Sequence, residues 1–218
     1  MITRRDVSVG LVAGGFLVAA TAAPNDENSR RVKLPAPREE GGRPLLAALK
    51  LRRSTREYSD RPLPLGVLSD LLWAAFGINR PSGDRTAPYW RHVMLMDLYL
   101  AKADGVWLYD PKDHALQLYL DDDIRAVTGR QDFVAKAPLN LLYVAHGERM
   151  TDVAVQDRRL YASVDAGFIG QNVYLFCASE GMATVFRGAV DYPALERALR
   201  LPAQQFVTFE QTVGYPPA

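Results

Sequence analysis

The chain has 218 residues, of which 48% are hydrophobic and 23% are charged, and its formal net charge at pH 7 is +1. A near-neutral chain of this length can form one domain with a hydrophobic core, but it lacks the basic excess typical of nucleic-acid-binding proteins. The single cysteine, Cys177, excludes an intrachain disulfide and a multi-cysteine zinc site, and its apolar surroundings predict a small buried hydrophobe.

The first 23 residues have the pattern of a targeting segment. Arg4 and Arg5 precede an apolar, glycine-bearing run from residue 7 to residue 20, and residues 20–22 offer a small-x-small cleavage site. The run is shorter than the roughly 20 residues of a bilayer span, which favours cleavage over an uncleaved anchor. We therefore predict a twin-arginine signal peptide over residues 1–23. It implies a periplasmic or otherwise exported protein that meets a membrane only through this signal.

The next part of the chain predicts a linker followed by two helices. Residues 24–43 are rich in proline, glycine and charge, so we expect a linker that is extended along the surface or mobile. Leucines mark a short helix over residues 45–51. Apolar residues at helical spacing predict a second helix over residues 65–76, which Gly77 ends, and a loop follows over residues 79–89.

The middle of the chain predicts mostly strands. Residues 92–100 have the pattern of a strand, and residues 105–110 and 115–120 that of a hairpin. A short helix is predicted over residues 122–128. The nearly continuous apolar run over residues 139–145 is typical of a strand that is covered on both faces.

The last part predicts the longest helix, over residues 161–180, because its apolar residues step by three and four. Gly167 and Gly170 inside it each cost about 1 kcal/mol relative to alanine, which suggests that something packs close to the helix backbone. A short helix over residues 192–199 and a strand over residues 206–213 follow. This order predicts an α+β domain with a central, mainly antiparallel sheet flanked by helices.

The end of the first predicted helix carries three arginines and a serine: Arg52, Arg53, Ser54 and Arg56, here called the arginine cluster. One arginine would satisfy the last carbonyls of a helix. Because guanidinium groups bind phosphate oxygens in a bidentate manner, the cluster favours a phosphate pocket; the alternative is a solvated basic helix end.

Six segments, in this order, resemble the nitroreductase family of flavoproteins, in its branch near the SagB-type dehydrogenases. They are residues 52–58, 68–78, 85–88, 167–175, 180–188 and 212–216. The resemblance implies a nitroreductase-like, FMN-binding domain over residues 44–218. It also implies a two-fold homodimer with the longest helix at the interface and an FMN in each of two clefts between subunits.

The resemblance also implies residue roles. It places the FMN phosphate and ribityl contacts on the arginine cluster, and it places Arg187 and Gly188 near the flavin ring. Arg187 would face the N1 and O2 edge of the ring, or alternatively form a surface salt bridge. The family often has a cation after its final Gly-Tyr, but Pro216 follows Tyr215 here, so more of the phosphate is expected to rest on the arginine cluster.

The chain departs from the family pattern after Pro88. Relatives place small polar residues where this chain has Tyr89 and Trp90, with His92 close behind. We expect these three residues to line the substrate pocket and to restrict it. His92, Met94 and Met96 also alternate, as ligands of a soft ion on one strand face would, but methionines on an apolar strand favour core packing and we predict no metal.

The predicted chemistry follows from the cofactor, because the flavin N5 accepts and donates hydride and no catalytic side chain is needed. We predict an exported FMN-dependent oxidoreductase that transfers hydride through flavin to a small acceptor, such as a nitroaromatic, a quinone or an azoline-like compound. NAD(P)H is one candidate electron donor. The alternative is a non-catalytic, flavin-binding or cofactor-free relative with the same fold.

Overall fold

The computed structural model describes residues 30–217, so the predicted signal peptide over residues 1–23 lies outside the described residues. In chain order the helices and strands are β1 (Arg31–Lys33), α1 (Leu45–Leu51), α2 (Leu65–Phe76), β2 (Met96–Lys102), β3 (Gly105–Asp110), β4 (Ala115–Leu120), β5 (Leu139–His146), α3 (Val155–Glu180), β6 (Ala183–Arg187), α4 (Tyr192–Ala198) and β7 (Gln205–Gly214). Within residues 30–217, no helix combines the length and the apolar character of a bilayer span.

All seven strands form one sheet in the order β1-β4-β3-β2-β5-β7-β6, and every neighbouring pair is antiparallel. The predicted α+β class with an antiparallel sheet is therefore confirmed. Strand β5 lies inside the sheet and all of its residues are buried, as its continuous apolar run predicts.

The sheet separates two hydrophobic cores. On one face, Leu71 of α2 and Ile169 of α3 belong to the same core as Tyr143 of β5. On the other face, Leu195 of α4 packs in a smaller core with Leu142 of β5. Successive side chains of β5 point to opposite faces, so one strand contributes to both cores.

Helix α3 is the longest helix, as predicted, but it begins at Val155, six residues before the predicted start at residue 161. Gly181 ends it in the left-handed conformation, with φ of 70°. A close approach is confirmed at Gly170, because a Cβ there would lie 2.5 Å from the ring of Phe186. At Gly167 a Cβ would meet no atom of the described chain within 4 Å.

The prediction of a strand from residue 92 is wrong for its first residues. Residues Trp90–His92 form a single 3-10 turn, Arg91 and His92 have φ of 46° and 58°, and β2 begins only at Met96. His92 and Met94 therefore do not share a strand face with Met96, and the geometric basis of a soft-ion site is lost.

The short helix predicted over residues 122–128 is also wrong in extent, because only Arg125–Val127 forms a 3-10 turn. Asp123 accepts hydrogen bonds from the backbone and the side chain of Arg125, so it favours a turn over a helix.

The described part of the predicted linker, residues 30–43, is attached to the domain. Strand β1 pairs with β4, and Leu34 is buried in the larger core. Arg38 binds Asp70 of α2 with its backbone N–H at 2.8 Å and its Nε at 2.6 Å, and its Nη2 binds Glu180 of α3 at 3.0 Å. The sequence did not indicate these contacts because the partners are distant along the chain.

Candidate functional site

The arginine cluster lies directly after α1 and is positioned by β6 and α3. The backbone N–H of Thr55 donates to the carbonyl of Thr184 at 2.9 Å, which fixes the segment against β6. The Ser54 hydroxyl lies 2.7 Å from the hydroxyl of Tyr174 on α3. The Tyr174 hydroxyl also accepts a hydrogen bond from the Phe186 N–H at 2.9 Å. Tyr174 thus connects the cluster to β6, a role that the sequence did not indicate.

The charges of the cluster are not neutralised by the described residues. None of the three guanidinium groups, of Arg52, Arg53 and Arg56, has a described carboxylate within 4.0 Å. The guanidinium of Arg52 lies over the Tyr174 ring at 5.1 Å, an arrangement that orients it without cancelling its charge. A guanidinium group without a carboxylate partner can bind a phosphate in a bidentate manner.

Two cavities flank the cluster. One, of about 220 Å³, is lined by Arg53 and Tyr174. The other, of about 310 Å³, is lined by Tyr58 together with two cations and two carboxylates: Arg56, Lys136, Glu57 and Asp132. No described carboxylate forms an ion pair with Lys136, so it adds a second free cation beside Arg56, and its position was not apparent from the sequence.

Arg187 differs from both interpretations of it. Its side chain is 4% exposed, and its guanidinium donates to Thr212 Oγ1 at 2.8 Å, to the Thr128 carbonyl at 2.6 Å and to Asn140 Oδ1 at 2.9 Å. It is neither a surface salt bridge nor a free cation facing a ligand. Burial lowers the pKa of Arg187, and the hydrogen bonds explain why the charged group is tolerated inside the domain.

Gly188 is exposed at the end of β6, where a Cβ would lie 3.2 Å from the Phe209 ring and from the Tyr192 hydroxyl. Its predicted contact with the flavin ring stays a prediction. Cys177, by contrast, is a confirmed buried hydrophobe, and burial raises the pKa of its thiol.

The residues predicted to line the substrate pocket form a separate turn. The Tyr89 hydroxyl donates to Asp84, and the Trp90 N–H donates to both carboxylate oxygens of Asp165 at 3.0 Å. Burial raises the pKa of Asp165 to about 6, against the opposing effect of the Trp90 hydrogen bond. His92 is 84% exposed and lies 3.5 Å from Asp84.

The chain does not bring the two predicted parts of the site together. The Trp90 ring packs against Tyr161 at 5.7 Å, whereas the arginine cluster contacts Tyr174 on the same helix. At 1.5 Å per residue, the 13 positions between these tyrosines correspond to about 20 Å along α3.

The two less exposed histidines each have two polar neighbours. His114, between β3 and β4, lies 2.6 Å from Ser69 of α2 and 3.0 Å from Tyr109 of β3. His146 binds Asp97 at 2.7 Å and Glu148 at 2.9 Å. Across residues 30–217 no group of three histidine, cysteine, aspartate or glutamate side chains is arranged to hold a metal ion.

An antiparallel sheet flanked by helices defines the α+β class, and the arginine cluster follows α1 and contacts β6 through Thr55. The sequence model of the nitroreductase family matches residues 49–215, and the chain belongs to this family. A protein of Methanocaldococcus jannaschii assigned as a nitroreductase is 34% identical to this chain. The match covers 63% of this chain and 75% of that protein.

Solved structures agree with this assignment. A protein of Ralstonia eutropha, also assigned as a nitroreductase, superposes with a TM-score of 0.83 at 40% identity, over 87% of this chain and 90% of that one. The NADPH:FMN oxidoreductase of Vibrio harveyi, solved in complex with NAD+, superposes with a TM-score of 0.59 at 16% identity, over 80% of this chain and 69% of that one. At this identity the second likeness shows the fold alone.

Proposed function

We propose that the protein is an FMN-dependent oxidoreductase, and the observation that carries this proposal is the set of unpaired guanidinium groups in the arginine cluster. When bound, FMN supplies hydride transfer at its ring N5. The protein contributes binding, orientation and exclusion of water. This assignment goes beyond the family membership, and it rests on the fit between the cluster and a phosphate dianion.

The arginines and the serine of the cluster have different tasks in this proposal. Arg52, Arg53 and Arg56 bind the phosphate, and Arg52 is held in place by its stacking on Tyr174. Ser54 donates to a ribityl or phosphate oxygen while its own orientation is fixed by the Tyr174 hydroxyl. Because the Tyr174 hydroxyl also accepts a hydrogen bond from the Phe186 N–H, this one side chain positions both the proposed phosphate site and β6.

The donor and acceptor are proposed from the relatives and from the pocket. The Vibrio harveyi protein is named for NADPH and was solved with NAD+, which supports a reduced nicotinamide cofactor as electron donor. The acceptor is proposed to be small, in the class of nitroaromatics, quinones or azoline-like compounds. The bulk of Tyr89 and Trp90 favours a flat molecule.

We further propose a two-fold homodimer that assembles the site through α3. This helix exposes apolar side chains to solvent, among them Tyr161, Val164 and Phe168. The midpoint between Tyr161 and Tyr174 falls at Gly167 and Phe168. Two antiparallel copies of α3 that cross there would place the Tyr161 end of one protomer opposite the Tyr174 end of its partner. Tyr89 and Trp90 of one protomer would then complete the cleft of the other.

The replacement Phe168→Glu tests this dimer. A charge at the centre of an apolar interface is expected to convert the protein from a dimer to a monomer at micromolar concentration, because an unpaired charge is costly to bury. Analytical ultracentrifugation measures the mass. Val127→Glu is the control, since Val127 is similarly exposed but lies in a turn outside α3. A wild-type protein that is monomeric with full flavin occupancy would contradict the proposed assembly.

The double replacement Tyr89→Ser with Trp90→Ala tests the restricted pocket. It is expected to raise turnover with bulky nitroaromatics about tenfold, equivalent to about 1.4 kcal/mol, while flavin content stays the same. The bond between the Trp90 N–H and Asp165 involves the backbone and is retained in the variant. Trp90→Phe, which keeps a ring, is the control. Unchanged turnover with bulky acceptors would show that these rings do not limit access.

The decisive measurement for the proposed function is the visible spectrum of the purified protein, before and after incubation with FMN. Bands near about 370 and 450 nm, as in any oxidised flavoprotein, are expected. The second candidate is a cofactor-free relative, which is favoured by the aromatic rings at Tyr89 and Trp90 and by the inward orientation of Arg187. A protein that is colourless, takes up no FMN and gains flavin only after the double replacement would establish that candidate.

Export is proposed from the twin-arginine pattern alone. The twin-arginine route carries folded proteins, which suits a protein that acquires its cofactor before export. Fusion of residues 1–23 to a reporter that is active only outside the cytoplasm, compared with an Arg4→Lys, Arg5→Lys variant, tests it. Equal reporter activity in both fusions would remove the proposal.

A further inference from the structure

Glu210 on β7 is a buried carboxyl group without a hydrogen-bond donor. Its side chain is fully buried, and neither of its oxygens has a partner. The nearest cation, Arg187 Nη1, lies 4.0 Å away, too far for a hydrogen bond. Gln131 Oε1 is also buried without a donor. Buried acceptors are normally satisfied, so this arrangement requires either a proton on Glu210 or ordered water.

The groups around Glu210 come from several elements. Arg187 on β6 is its direct cross-strand neighbour, and on the other side Leu142 of β5 is apolar. Tyr192 on α4 donates its hydroxyl to the Thr208 carbonyl, and the charges of Arg159 and Glu196 lie beyond Tyr192. Burial raises the pKa of Glu210 to about 8. This shift is opposed by the Arg187 charge at 4.0 Å and, less strongly, by the backbone N–H of Glu210 itself, which does not reach hydrogen-bond geometry.

Arg187 also fastens residues 128–137, here called the wall segment, to the sheet. Its Nη1 binds the Thr128 carbonyl, and its Nη2 binds Asn140 Oδ1. Asn140 in turn donates from Nδ2 to the Val134 carbonyl at 2.8 Å. The wall segment contributes Phe133 and Lys136 to the cavity that also contains Arg56. Arg187 is therefore one of several attachments of this wall of the candidate cofactor cleft. The Arg130 N–H, which donates to the Ala189 carbonyl at 2.9 Å, and Arg125 Nη1, which donates to the Ala137 carbonyl at 3.0 Å, are others.

We infer that Glu210 is a positioning residue that must keep its proton for the wall segment to stay beside Arg56. When the proton leaves to bulk water, the new carboxylate draws the Arg187 guanidinium towards itself and away from Thr128 and Asn140. A buried carboxylate gains more from a direct charge-assisted pair than Arg187 gains from its neutral partners. Release of Thr128 then loosens the wall segment.

The expected change in FMN affinity rests on the proposed function, whereas the expected loosening of the wall segment does not. Amide hydrogen exchange of the FMN-free protein, corrected for the intrinsic rate, measures the segment directly at pH 7 and pH 9. Protection of residues 128–137 is expected to fall at pH 9 in the wild type. In Glu210→Gln, which is uncharged at both values, protection is expected to stay constant.

FMN affinity gives the second readout. The apparent FMN affinity scales with the fraction of protein whose Glu210 is protonated, if the ionised form does not bind. With a Glu210 pKa of about 8, this fraction and the affinity fall about tenfold between pH 7 and pH 9. Glu210→Gln should remove this pH dependence, and Glu196→Gln, a partly exposed glutamate on α4, should keep it. Asp97 and Glu148 raise the pKa of His146 against the effect of burial. Because the wild type and both variants contain His146, it cannot cause a difference between them.

The outcomes separate the two levels of inference. Constant protection of the wild-type wall segment from pH 7 to pH 9, or an equal loss of protection in Glu210→Gln, overturns the role of Glu210. If protection falls in the wild type but not in Glu210→Gln, and no FMN binds at either pH, the positioning role of Glu210 is supported and the proposed cofactor is not. If Glu210→Gln does not fold, Glu210→Leu, which is also uncharged at both pH values, takes its place.

Discussion

Replacing Arg52 or Arg56 by alanine is expected to weaken FMN binding by about 1.5–3 kcal/mol for each change, the range for a hydrogen bond to a charged group. This corresponds to an increase in Kd of roughly 10- to 150-fold. The expected loss is large because neither guanidinium is paired with a described carboxylate, so each one is free to give its full interaction to the phosphate. Fluorescence titration of FMN-free protein with FMN measures it.

Arg197→Ala is the matched control for the arginine cluster. Arg197 is an exposed arginine in the last turn of α4, away from both cavities that flank the cluster. Its replacement should leave the Kd unchanged. The phosphate assignment fails if Arg52→Ala and Arg56→Ala both bind FMN as tightly as this control.

Replacing Arg187 by leucine is expected to lower the free energy of unfolding by about 3–5 kcal/mol, as for other buried charged groups whose partners are left unpaired. The change strands the oxygens of Thr128, Asn140 and Thr212, to which Arg187 donates inside the domain. A leucine fills part of the volume, but it donates nothing. Urea unfolding of the FMN-free protein at pH 7 measures the difference.

Arg53→Leu is the control for this second prediction. Arg53 is exposed, and the described residues give its guanidinium no ion pair, so its removal should change stability by less than about 0.5 kcal/mol. If Arg187→Leu costs no more than this control, Arg187 is not the structural arginine that its hydrogen bonds indicate.

Apolar spacing and continuous apolar runs predicted several elements at the correct positions. Helices α1 and α2, the β3–β4 hairpin and the fully buried β5 all appear where apolar spacing placed them. The first turns of α3 were missed because residues 155–160 contain polar and charged side chains that hide the helical pattern. The start of β2 was misplaced because apolar and aromatic residues continue through a turn whose backbone has positive φ at Arg91 and His92.

The candidate site was predicted only where its residues are contiguous. The arginine cluster is a local sequence feature, and its role as a phosphate site stays a prediction, since Arg53 and Arg56 line different cavities. Tyr174 and Lys136 were missed because they reach the cluster from other elements. The position of Arg187 was misjudged because Thr128, Asn140 and Thr212 are 25 to 59 residues away in the chain. Local pattern carries no information about such partners.

The attachment of the N-terminal segment sets an order for biosynthesis. Arg31 pairs with Asp113, 82 residues later, and Arg38 pairs with Glu180, 142 residues later. Arg38 also binds Asp70, only 32 residues later, so the segment can gain its contacts in steps as the chain is synthesised. The contact with Glu180 is the last of these steps, because it requires the end of α3.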